Sequence, residues 1–91
     1  MAHLTQHTDA LLNRVRRIGG QLQALERALE GQADCARTLH LAAAIRGAVH
    51  GLMDELIESH AREHVARSGL SDEERQQGLE ELLEAIRRYA K

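Results

Sequence analysis

From residue 33 to residue 67 nothing in this sequence stops a helix, because the chain contains no proline at all. Along that stretch Ala42, Ile45, Val49, Leu52 and Leu56 recur every three or four positions, the spacing of one face of an α-helix. At ~1.5 Å per residue such a helix is roughly 50 Å long. A compact domain of 91 residues has a radius of gyration near ~12 Å. The helix must therefore project beyond its own chain's core, and its apolar seam needs a partner. The expectation is an oligomer in which this helix lies antiparallel to its copy.

Two shorter helices flank it. Leu11, Val15, Ile18, Leu22, Leu25 and Leu29 form one stripe on a helix over about 8–30, with Gly31 as its stop. Ser68-Gly69 breaks the long helix, and Ser71 followed by Glu74 is a capping-box signature for a third helix over about 72–90. Leu79, Leu82, Leu83, Ile86 and Tyr89 form its apolar face. No run of alternating β-branched residues suggests a strand, so residues 1–91 read as one all-α domain. No stretch reaches the ~18 uncharged apolar residues of a membrane helix, and no basic-then-apolar leader is visible. A soluble cytoplasmic protein is expected, with its single cysteine kept as a thiol.

The net charge of −2 is unevenly spread. Arg14, Arg16 and Arg17 have no acid near them, whereas residues 72–84 carry six acids against Arg75 alone. The first helix is basic and the third acidic.

"ESHAREH", residues 58–64, contains H-x-x-E-H, the zinc signature of one group of metallopeptidases. A small helical chain with no substrate cleft and no obvious third ligand does not suit that chemistry, and Glu63 is more simply a partner for Arg62, Arg67 or a histidine. Two histidines four apart do point the same way and can bind one ion. With Cys35 at zero on an ideal helix, His60 falls near −20° and His64 near +20°, by the ~100° step. All three share a face, but Cys35 and His60 are roughly 37 Å apart along one helix. One chain cannot bring them together. An antiparallel pair with its two-fold axis near Val49 or His50 can, placing Cys35 of one protomer beside His60 and His64 of the other. A thiolate with imidazoles suits Zn, Ni, Co and Cu. His3 and His7 near the N-terminus could fold over such a site. Ala2 is small enough for the initiator methionine to be removed, which would free an α-amine as a ligand or nucleophile. Taken singly, a histidine pair is more often solvated surface and a lone cysteine more often a small buried hydrophobe.

Together "RVRRIGGQLQALERALE" (14–30), "DCARTLHLAAAIRGAVHGLMDELIESH" (34–60) and the terminal "IRRYAK" resemble the CsoR/RcnR family of bacterial transcriptional repressors. The resemblance implies three helices per chain, an antiparallel dimer and a flat homotetramer made of two dimers. It also implies a repressor, not an enzyme, that releases operator DNA on binding its effector. Copper sensors of this family use a second cysteine where this chain has His64. The nickel and cobalt sensors are more similar: their N-terminal histidine, cysteine and two histidines match His3, Cys35, His60 and His64. The Ala2 amine and His7 are further candidate ligands, and Zn(II) is a further candidate metal in vitro. The formaldehyde-sensing subgroup is the alternative, with Cys35 and the amine of Ala2 as the reacting pair. That subgroup typically has proline at residue 2 and a carboxylate at the position of His64. A persulfide sensor would need a second cysteine.

For DNA the resemblance implies a basic surface facing G/C-tract operators, read through shape as much as base edges. Arg14, Arg16 and Arg17 are the candidates, with Gln21 a weaker one. With Val15 and Ile18 pointing inward, Arg14 and Arg17 are expected to share the outer side. Two rival readings are a purely structural helical oligomer and a metal-buffering protein. His40, Arg46 and His50 are assigned no role.

Overall fold

The computed structural model describes the backbone of residues 5–90 and the side chains of residues 8–90. These residues form α1 (Thr5–Glu30), α2 (Cys35–Ala61), a π-helical turn (Arg62–Ala66) and α3 (Asp72–Tyr89). No strand occurs among the described residues. They fall into two compact units, one over Thr5–Met53 and one from Asp54 onward.

The first unit is a helical hairpin. α1 begins a turn earlier than the apolar stripe indicated and ends in a Schellman motif. The Ala33 amide donates to the Ala28 carbonyl at 2.8 Å and the Gln32 amide to the Leu29 carbonyl at 3.3 Å. The left-handed residue of that motif is Gln32, at φ 58°, and not the expected stop, Gly31. α2 then starts at Cys35 instead of residue 33, because the Asp34 carboxylate accepts from the Arg37 amide at 2.8 Å and caps the first turn. A Cβ built on Gly51 would lie 3.1 Å from Nη1 of Arg14. The two residues are equally far from the turn, as two antiparallel helices require.

The hairpin buries only half of the stripe expected on α1, and with it a line that the stripe did not include. Leu11, Ile18 and Ala28 are buried, with Arg14, Gln21 and Leu25 half-buried on the same line. Val15, expected inward, is 49% exposed, and with Leu12, Leu22 and Leu29 it forms a second, outward apolar line. The stripe read on α2 also divides. Ile45 and Leu52 are half-buried beside Leu41 and Ala48, whereas Ala42, Val49 and Leu56 are exposed. The reason is geometric: a stripe wider than one contact line offers two faces, and one helix partner covers only one.

In the second unit the end of α2 and the π turn pack against α3. Ser71 and Glu74 close the anticipated capping box, the Ser71 hydroxyl accepting from the Glu74 amide at 3.0 Å and the Glu74 carboxylate from the Ser71 amide at 2.8 Å. The inward line of α3 is Arg75, Gly78, Leu82, Ala85 and Tyr89. Leu79, Leu83 and Ile86, read as part of the apolar face, remain exposed. The Tyr89 hydroxyl approaches the Asp54 carboxylate at 3.4 Å. Partial burial and that neighbouring charge raise the phenol's pKa above its ordinary value.

Replacing Gln32 with glycine should stabilise the protein by about 0.5–1 kcal/mol in urea denaturation, since the left-handed cost outweighs glycine's greater unfolded freedom. The two hydrogen bonds from Ser71 hold the Glu74 pKa below its ordinary value of 4.5. The box therefore contributes fully above that ordinary value and is lost as pH falls through the lowered one. Amide exchange in the first turn of α3 should accelerate over that acid range, and Glu74→Gln, which can still accept from the Ser71 amide but does not titrate, should remove the pH dependence.

Candidate functional site

The long helix does not continue as an α-helix to Arg67. It changes at Arg62 into a π turn, and the chain turns extended at Arg67, with ψ 137°. In a π turn hydrogen bonds reach five residues back instead of four, so residues four apart come closer to lying above one another. The rings of His60 and His64 have their centroids 4.8 Å apart, tilted by 35°. Both side chains are half-buried.

Nε2 of His60 lies 3.0 Å from the carbonyl oxygen of Gly78 and 3.5 Å from Oε1 of Glu81, both on α3. A carbonyl can only accept, so Nε2 donates in this contact, which in the neutral ring leaves the lone pair on Nδ1. This is the usual dress of a metal-binding histidine, whose second ring nitrogen donates to a carbonyl or carboxylate. Glu63 pairs with Arg67 at 3.6 Å, and Glu58 takes Arg62 at 2.8 Å. Glu63 is thus an ion-pair partner on the helix surface. Beside His64 runs a groove lined also by Arg67, Glu73, Gln77, Gly78 and Glu81.

Cys35 is exposed at the first position of α2, at the opposite end of that helix from His60. Its carbonyl accepts from the Thr38 hydroxyl at 2.9 Å. Among the described residues no three of His, Cys, Asp or Glu converge as a metal cluster. Ala2, His3 and the side chain of His7 lie outside the described residues.

The candidate DNA-contact residues divide. Arg16 and Arg17 are exposed. Arg14, expected on the outer side with Arg17, is half-buried and reaches Gly51 of α2. It shares the inward line with Ile18, and α1 turns this line toward α2 in place of the one through Val15. Gln21 is on that line too, and its amide oxygen is buried without a hydrogen-bond partner. Charge follows the two units. Thr5–Met53 holds six arginines against four acids, and the remainder from Asp54 holds six basic residues against ten acids.

Sequence reasoning passed over Arg75 and Gly78, which meet the π turn, and Glu81, which meets His60 just before it. Gly78 carried a usable signal. A glycine inside an otherwise strong helix costs about 1 kcal/mol relative to alanine, and such a cost often marks a close approach.

The family model described as metal-sensitive transcriptional repressor matches residues 7–88. A protein of Serratia marcescens, described only as uncharacterized and encoded in the bioA 5′ region, is 46% identical over the full length of both chains. The transcriptional repressor RcnR of Salmonella arizonae is 37% identical, also over the full length of both. Among solved structures, the formaldehyde-responsive regulator FrmR of Salmonella enterica serovar Typhimurium superimposes with a TM-score of 0.87 at 39% identity. That match covers 92% of this chain and 94% of the other, which was solved as a variant with histidine replacing a glutamate. This chain belongs to the metal-sensitive transcriptional repressor family, the CsoR/RcnR family. It is a regulator of transcription by family and not an enzyme. No helix among its described residues is long and apolar enough to cross a membrane.

Nitrogen NMR of the metal-free protein, at a pH where the imidazoles are neutral, should show His60 as the Nε2–H tautomer. Mixed tautomers at His60 would remove the Gly78 hydrogen bond from the solution structure.

Proposed function

We propose that this chain is an operator-binding repressor that responds to a transition metal ion of the Ni(II)/Co(II) class, bound between protomers by Cys35 of one and His60 and His64 of the other. The observation that carries this reading is the histidine pair at 4.8 Å with the Nε2 hydrogen of His60 committed to Gly78. That commitment leaves Nδ1 as the coordinating atom. A thiolate and two imidazoles form a borderline donor set, suited to Ni(II), Co(II) and Zn(II). His3, with the Ala2 amine or His7, would add the nitrogen ligands that favour higher coordination numbers. The name of the 37%-identical relative, a transcriptional repressor, supports the regulatory half.

Assembly is part of the proposal. Val15, Leu22 and Leu29 on α1 and Leu39, Val49 and Leu56 on α2 are all at least 40% exposed in the single chain. Exposed apolar lines of this length mark protein contacts. A homotetramer of antiparallel dimers would cover them and bring each Cys35 to a partner's histidines. The DNA surface would then be the exposed Arg16 and Arg17, repeated over four protomers, facing the phosphates of a G/C-tract operator. Ligand and DNA sites are separate in this arrangement. An effector that lowers DNA affinity must in turn be bound more weakly, by the same factor, when DNA is present.

A second reading has its own support, the structural likeness to a formaldehyde-responsive regulator. There the pair would be the Cys35 thiol and the Ala2 amine, bridged by the aldehyde carbon. Native His64 favours the metal, because it supplies a second imidazole on the face of His60.

Gel shifts with operator DNA should show release by Ni(II) or Co(II) and none by formaldehyde. Release by formaldehyde alone would transfer the site to Cys35 and Ala2. His64→Glu should abolish the nickel response, and a fully retained response would remove His64 from the site. Arg16→Ala and Arg17→Ala should weaken DNA binding across sequences. Each should also reduce the salt slope by about 1 for every phosphate the arginine had neutralised.

A further inference from the structure

We propose that Arg75 and Gly78 of α3 are positioning residues for the effector site, holding Arg62–Ala66 in the π turn that sets His64 against His60. The inference rests on the reading of that pair as a binding site, and it adds which residues give the pair its geometry.

Residues 61–67, "AREHVAR", contain no helix breaker. Alanine, arginine and glutamate are strong helix formers, so local preference favours an α-helix up to Ser68-Gly69. The π turn runs against that preference, and a contact from outside the segment has to hold it. α3 supplies two contacts to it, from Arg75 and Gly78, which are neighbours three apart on one helix face.

The Arg75 guanidinium donates to the carbonyl of Val65, with longer approaches to the carbonyls of Arg67 at 3.4 Å and Leu70 at 3.5 Å. A helix end leaves its last carbonyls without intrahelical partners, and a planar fork of five N–H donors suits several of them at once. Gly78 is buried and sits directly on the backbone of His64. A Cβ placed there would lie 2.7 Å from the carbonyl carbon of His64 and 2.9 Å from its Cβ, and would collide with its carbonyl oxygen. The Gly78 carbonyl meanwhile holds the His60 ring at 3.0 Å. One helix face thus grips the backbone at His64 and the ring of His60, and their mutual placement is a property of α3.

The test uses the full chain. Gly78→Ala raises intrinsic helix propensity, so any damage reports the collision with His64. Arg75→Gln removes the fork, and Arg75→Lys returns a charged donor without it. Each is titrated with Co(II) and followed by visible absorption. In the metal-free state the nuclear Overhauser effect between the His60 and His64 rings is recorded. Helix content and assembly mass serve as the check on folding.

Gly78→Ala and Arg75→Gln should weaken Co(II) binding by about tenfold or more, as removal of outer-shell support typically does. They should also shift the ligand-field bands and abolish the ring-to-ring effect, with Arg75→Lys recovering part of each. Folded variants that keep the affinity, the spectrum and the ring-to-ring effect overturn the proposal. If Gly78→Ala does not fold, the two Arg75 variants decide by the same criteria. Unchanged Co(II) binding in His64→Ala would overturn the effector reading instead, and the metal-free ring-to-ring effect then judges the positioning role alone.

Discussion

Each helix of this protein carries more apolar surface than the chain itself can cover, and most of the structure follows from that excess. α1 has one line through Leu11, Ile18 and Ala28 and a second through Leu12, Val15, Leu22 and Leu29. α2 and α3 repeat the pattern, with Val49 and Leu56 on one and Leu79, Leu83 and Ile86 on the other left outside. No large side chain is fully buried among the described residues. Hydrophobic burial is the main force available to so small a domain, and a core this thin suits a protomer completed by copies of itself. In the proposed assembly, one arrangement would cover these lines and complete the ligand site.

The long helix also separates chemistry. Cys35 opens α2 and His60 lies next to its end, and in the proposed assembly the thiol of one protomer would meet the imidazoles of another. The excess of arginine lies with the first unit and the excess of acid with the second. A basic α1 suits phosphate contact, and the acids on α3 lie beside the histidines. Glu81, 3.5 Å from His60, shows how the acidic half serves the candidate site. In this arrangement α3 is more than a cover for α2, because its Gly78 carbonyl selects which nitrogen of His60 is available.

Much of this was legible from residue order. The all-α class, three helical segments and the Ser71–Glu74 box follow from periodicity and capping chemistry, which are local. Cys35, His60 and His64 were legible as candidates because a helix converts spacing into direction. Legibility failed wherever a partner element made the choice. Val15 was expected inward and Arg14 outward, yet α2 covers the line that includes Arg14. Gly31 looked like the stop of α1, but the hydrogen bonds of the turn place the left-handed position at Gln32. The helix read through to Arg67 becomes a π turn where α3 arrives.

The sequence by itself determined that the chain is helical, that its helical segments are three, that a long helical stretch lies between Cys35 and His60, and which family it belongs to. These rest on short-range propensity, helical rise and motif, and they need no knowledge of packing. Only the tertiary structure decided which of two apolar lines each helix buries, that Arg14 turns inward, and that Gly78 and Arg75 meet the turn carrying the histidine pair. Those outcomes depend on contacts between residues far apart in sequence, where several faces were equally able to pack and the geometry of the neighbouring helix chose among them.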